Sequence, residues 1–349
     1  MRISLQIHYF IVYFLFCYMH ALPAIEYIYP VASLNDGTEI LCIHQHSPTN
    51  IELLVWNTAT HQSEQILWSV FNPAGLQILP DNSGFSFIDN GRLRIKSFQK
   101  RSPKAIDFDE PLFGINGLQW IDNHICCCSA QYNNNFALFE LHDDGTLECL
   151  MTKEGKDFMC PQKVGGQLFY IERYATEKGC GDIHYHIASC LYEKKNSCFS
   201  QSNIIADFQN KPIMFLTMVD DTQGFVMEHA QHINSENPTT SFTYHQIIKE
   251  GGTWNQKPLF SFAIPTTLLL DDQEQLYESI LPLLPRTINN KIYFVDCAKN
   301  NNHILELYSY DLAKSTVKKI NLAKQKGHCF VPVLCGNAFY CGGFVLRKI

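Results

Sequence analysis

Seven times along this chain an apolar strand runs into a tight turn and returns as a second strand of alternating apolar residues. The clearest copy is LPDNSGFSFIDN at 79–90. The others are SLNDGTEILCI (33–43), WIDNHICCC (120–128), CPQKVGGQLFYI (160–171), MVDDTQGFVM (218–227), LPRTINNKIYFV (284–295) and VPVLCGNAFYC (331–341). Gly and Asn tolerate the left-handed backbone of such turns, and period-two alternation suits a half-buried strand. With Gly37, Gly84, Asn123, Gly166, Gly224, Asn290 and Asn337 as markers, the copies stand 47, 39, 43, 58, 66 and 47 residues apart. Self-similarity at that period marks a repeat architecture.

A further hairpin follows each of the first six copies. IELLVWN and SEQILW flank TATHQ, RLRIKSF and KAIDF flank QKRSP, and NFALFEL turns through HDDG into TLECLM. IHYHIASCLY, SFTYHQII and ILELYSY turn in the same way toward NIIADF, PLFSFA and TVKKIN. Four short antiparallel strands per repeat of about 40–50 residues make a β-propeller blade. The expected fold is therefore all-β, a single propeller over residues 25–349. Seven blades are expected, with six or eight as the alternatives. The seventh copy is short of strands, and a ring leaves no blade edge bare. Both termini are expected to close that blade, with residues 21–27 adding an outer strand. The longer spacings place insertions at 175–182, 231–240 and 265–277.

Leu34-Asn35-Asp36-Gly37 before Glu39-Ile40-Leu41-Cys42, and Pro80-Asp81-Asn82-Ser83-Gly84 before Phe85-Ser86-Phe87, resemble the turn-then-apolar-strand motif of TolB-like β-propellers. The resemblance covers the chain from about residue 27 and implies a propeller, often in the bacterial envelope and often binding proteins. Authentic TolB carries an α/β domain before its propeller. Here the repeats begin soon after residue 27, so a Tol–Pal role is not carried over. WD40-like propellers are a weaker match, because neither Gly-His nor Trp-Asp recurs at blade spacing.

Aromatic residues make up 13% of the chain, which favours strands. The formal net charge is −7, and no run of Lys or Arg exceeds two. A nucleic-acid partner is not expected from a chain without a basic footprint. The N-terminus, MRISLQIHYFIVYFLFCYMHALPA, has an early Arg2, an apolar stretch and then small residues. That is the layout of a signal peptide over 1–24, and no membrane span is expected beyond it. Asn237-Pro238-Thr239 is blocked as a glycan acceptor by its proline, and no other Asn-x-Ser/Thr occurs. Export to a bacterial periplasm or cell exterior is the expected localisation.

The chain has 14 cysteines. Neighbours on a strand face opposite ways, so Cys126, Cys127 and Cys128 cannot share one metal. His184 and His186 share a face, but two ligands need others from elsewhere to make a site. Cys190 and Cys198 flank the turn Glu193–Ser197 and are the expected disulfide. No G-x-S-x-G elbow or H-E-x-x-H helix motif is present, and no catalytic, cofactor-binding or metal residue is assigned. Asp122, Asn123, Asp220, Asp221 and Asp296 lie near inner strands, where a lactonase-like propeller would hold a central metal. The first expectation is a non-catalytic, exported scaffold for a protein or peptide. The alternative is a lactonase- or esterase-like hydrolase.

Overall fold

The computed structural model describes residues 27–34, 37–47, 50–68, 76–89, 92–98, 104–106, 112–175, 182–192, 202–230, 239–265, 283–298, 301–321, 328–342 and 347–348. These residues build antiparallel sheets in chain order, each meandering from its first strand to its last. Blade 1 holds β1 (Tyr27–Leu34), β2 (Glu39–Ser47), β3 (Asn50–Asn57) and β4 (Ser63–Trp68). Blade 2 holds β5 (Gln77–Ile78), β6 (Gly84–Asp89), β7 (Arg92–Ser97) and β8 (Lys104–Ile106). Blade 3 holds β9 (Phe113–Trp120), β10 (Ile125–Tyr132), β11 (Asn135–His142) and β12 (Leu147–Met151). In blade 4 the strands are β13 (Lys156–Val164), β14 (Gln167–Ala175), β15 (Ile183–Leu191) and β16 (Asn203–Gln209). Blade 5 has β17 (Ile213–Met218), β18 (Gln223–Ala230), β19 (Thr239–Glu250) and β20 (Thr253–Pro265). Blade 6 has β21 (Arg286–Ile288), β22 (Lys291–Ala298), β23 (Asn301–Asp311) and β24 (Thr316–Lys319). The last sheet has β25 (Val333–Cys335), β26 (Ala338–Cys341) and β27 (Arg347–Lys348). Six sheets are thus complete four-stranded blades, and the seventh has three strands.

The turn phrase works much as its residues predict, with shifts at particular positions. Gly37 has φ +85°, and Asn289 and Asn290 have φ 49° and 60°, as tight turns require. In the second copy the left-handed residue is Asn82, not Gly84. Gly84 opens β6 instead, where a Cβ would lie 2.2 Å from the Lys96 carbonyl oxygen. Its role is close backbone approach to β7 rather than the turn itself.

Blade 3 buries both faces, one against each neighbour. Cys126 and Cys128 pack with Leu79, Leu93 and Ile106 of blade 2, whereas Cys127 packs with Phe158, Leu168 and Tyr170 of blade 4. The strand alternation that separates the three thiols is thus seen directly. Burial pushes the Cys127 thiol up to about 12, and Cys42, Cys190 and Cys297 likewise to about 12. Cys42, Cys127 and Cys297 are apolar fill, protonated at neutral pH.

Closure joins blade 1 to the seventh sheet. Tyr29 packs on Phe330 with ring centroids 4.3 Å apart, and Ile40, Cys42 and Leu54 cluster with Cys335 and Tyr340. A Cβ on Gly37 would meet the Gly336 backbone nitrogen at 2.2 Å, so two hairpin turns touch backbone to backbone. The third strand of this sheet comes from the C-terminal end itself. Residues 21–26, expected to add an outer strand there, lie outside the described residues, as do residues 1–20. Cys335 lies opposite Ala338, as a two-residue turn dictates. The disulfide of this region is instead Cys329–Cys341, with a Cα–Cα distance of 6.7 Å.

Candidate functional site

The first strands of all the sheets surround one cavity of about 870 Å³. Ala32, Ile78, Leu118, Gln162, Thr217, Thr287 and Val333 supply one lining residue from each sheet in turn. The wall is mainly apolar, with amides at Gln77, Gln119 and Gln162 and hydroxyls at Thr217, Thr287 and Tyr244. Burial pushes the Tyr244 hydroxyl well above its usual value, so it stays protonated.

Arg286, at the start of β21, is the only charged residue among the described residues of the lining. Its Nη1 is buried and has no hydrogen-bond partner among the described residues. Desolvation pulls the guanidinium down to about 10, opposed by the nearby Cys42, and it remains a cation at neutral pH. An enclosed guanidinium nitrogen without a partner carries a desolvation cost that an anion brought within hydrogen-bond reach would offset.

The acidic residues near the inner strands have other work. Asp122 Oδ1 accepts from the backbone N–H groups of His124 and Ile125, each at 2.9 Å. Asp220 Oδ1 accepts from the Thr222 N–H and hydroxyl, both at 2.7 Å, which holds its carboxyl below the usual range. Asp296 Oδ1 accepts from Ala263 N at 2.8 Å and ties blade 6 to blade 5. None of these residues, nor Asn123 or Asp221, lines the cavity.

Histidine and carboxylate side chains gather on the blade flanks instead. On blade 4, His186 lies opposite both Glu172 and Asp207, and its Nε2 stands 3.4 Å from Asp207 Oδ1. His184 stacks on Tyr174 at 5.3 Å. His186 is buried, where an edge-facing polar strand would leave it solvated. Asp207 is the third ligand-type residue that the sequence did not reveal. Its pairing depends on a register shift between Ile187 and Ala188, which no spacing rule supplies. On blade 1, His44, His46 and Glu52 converge, and on blade 3 Glu140, His142 and Glu148 do so. None of these nine residues lines the cavity. Of the expected disulfide pair, Cys190 is buried beside the Leu168 carbonyl, and Cys198 lies outside the described residues.

No family model matches this sequence, and no curated protein matches it. Solved structures do. An oligogalacturonate lyase from Vibrio parahaemolyticus is similar over 91% of this chain and 89% of its own, at 12% identity and a TM-score of 0.56. A structure of prolyl endopeptidase is similar over 85% of this chain and 43% of its own, at 8% identity and a TM-score of 0.52. A putative TolB from Agrobacterium tumefaciens is similar over 68% of this chain and 82% of its own, at 14% identity and a TM-score of 0.49. The protein is a β-propeller. Among the described residues no helix is long and apolar enough to cross a membrane.

Proposed function

We propose that this propeller is a non-catalytic scaffold that receives a protein or peptide segment in its central cavity. The observation that carries the reading is Arg286, the one cation among the described residues of an apolar, amide- and hydroxyl-dotted wall, whose buried Nη1 has no partner among them. Apolar side chains of a peptide suit the wall, and a carboxylate suits the guanidinium fork. Guanidinium, amide, hydroxyl and alkyl groups form a set for holding rather than for moving protons. We place the protein outside the cytoplasm. The layout of residues 1–24 supports this, as does the Cys329–Cys341 disulfide, which persists in oxidising compartments.

A free-peptide library selected against the purified protein tests the first part. Enriched sequences should carry an acidic side chain or depend on a free C-terminal carboxylate. Arg286→Met should weaken binding by about tenfold or more, the loss of one charge-assisted contact, and the cavity-filling Thr287→Trp should do so by exclusion. Equal binding by both folded variants overturns the reading. Peptide mapping without reductant tests the second part, with Cys329–Cys341 and Cys190–Cys198 as the expected bridges. Free thiols at all four positions in exported protein count against it.

A further inference from the structure

Among the described residues three clusters carry two ligand-type residues at i and i+2 with a carboxylate across the ladder, and blade 1 has the best ligand geometry. His44 and His46 share a face of β2, and Glu52 on β3 lies opposite His44. Glu52 Oε2 stands 2.9 Å from His46 Nε2 and 3.4 Å from His44 Nδ1. The three donor atoms all lie within 4.8 Å of one another. In a tetrahedral zinc site with bonds of about 2.0–2.1 Å, donors sit roughly 3.3–3.4 Å apart, an edge length that the two Glu52 contacts bracket, while the His44–His46 edge lies within 4.8 Å. The Glu52 side chain is only 10% exposed, whereas His44 and His46 are 18% and 22% exposed. The carboxylate anchors the inside of the cluster, and the imidazoles leave an outward position for water or a fourth ligand.

The other two clusters are weaker. Asp207 on blade 4 is 45% exposed, a poorly fixed third ligand. On blade 3 the Tyr192 hydroxyl donates to Glu140, and the set contains a single imidazole. Two imidazoles and one carboxylate are a donor set for borderline divalent transition metals, whereas calcium and magnesium prefer all-oxygen shells.

We propose that His44 Nδ1, His46 Nε2 and a Glu52 carboxylate oxygen bind a zinc-class divalent cation on the flank of blade 1, away from the central cavity. The sequence carries the signal as His-x-His followed six residues on by Glu across a short turn. It becomes readable only once the β2–β3 register is known.

The test strips the full-length protein with chelator and titrates zinc against a chromophoric competitor. Cobalt absorption then reports coordination geometry. One ion per chain is expected, with cobalt bands of tetrahedral intensity. His44→Ala and His46→Ala should each weaken binding by about 100-fold, since each removes a direct ligand. His186→Ala should leave affinity within roughly twofold, because that residue belongs to a separate cluster. Circular dichroism in chelator should show both histidine variants folded at the titration temperature, even if they melt earlier for want of a Glu52 partner, which separates lost binding from lost folding. Absence of tight zinc binding, or binding that survives both blade 1 variants, overturns the site. Peptide binding at Arg286 is measured in chelator, so either proposal can fail alone.

Discussion

Blade 5 and the seventh sheet sit in the same ring and hold their places by different means. Blade 5 has strands of 12 and 13 residues in β19 and β20. Phe225, Tyr244 and Phe260 stack across it, and Phe260 meets Phe294 of blade 6 at 4.1 Å. The seventh sheet has strands of only 3, 4 and 2 residues. It is held by the Cys329–Cys341 bridge, by the contact of two glycine turns, and by Tyr27 and Tyr29 packing on Phe330. Aromatic burial serves both regions, and the seventh sheet adds covalent and backbone constraint to it. They should therefore answer to different stresses.

The largest effect is expected from Phe294→Ala. It removes a fully buried ring at the blade 5–blade 6 boundary and should cost about 3–5 kcal/mol, read from urea midpoints. A loss under about 1 kcal/mol would mean that the aromatic stack is not what secures this side. Reduction of the disulfide, or the paired change Cys329→Ser with Cys341→Ser, should cost about 2–4 kcal/mol. Hydrogen exchange should then rise in β25 and β26 while blade 5 stays protected. Uniform exchange across both regions would dissolve the contrast.

Acid sharpens the comparison from the other side. His245 in blade 5 is buried, and its Nε2 lies 2.8 Å from Glu228 Oε2. Desolvation holds the imidazole below its usual value of 6.5, opposed by Glu228, and desolvation lowers His229 as well. The unfolded chain then binds more protons than the native one as pH falls below about 6.5. Stability is fullest above that pH and should decline beneath it by up to about 1.4 kcal/mol per pH unit for each group. His245→Phe should flatten the slope, whereas breaking the disulfide should leave it unchanged. An unchanged slope in His245→Phe would remove this residue as its source.

Strands were more legible than contacts. SEQILW is β4 to the residue, and RLRIKSF, NFALFEL and NIIADF fall within a residue or so of β7, β11 and β16. Alternation and turn chemistry are local, and local rules recover them. What escaped depends on which strand lies beside which. Asp207 meets His186 only through a shifted register, and Arg286 reaches the cavity only because β21 is an inner strand. Cys329 lies beyond the paired part of its hairpin, so turn counting around Gly336 passes over its bond to Cys341. Gly84 looked like a turn residue because nothing in the sequence distinguishes a glycine kept for its φ from one kept for its missing Cβ.

The contact that shuts the ring also sets a schedule for making it. The Cys335 thiol reaches the Glu39 carbonyl across 296 residues of chain. Until those residues exist, the flank of blade 1 formed by Ile40, Cys42 and Leu54 has no neighbour to cover it. At synthesis rates of about 5–20 residues per second, that wait is on the order of 15 to 60 s. The earliest blade to emerge is thus among the last to have both flanks covered, and its open flank is apolar surface exposed throughout synthesis.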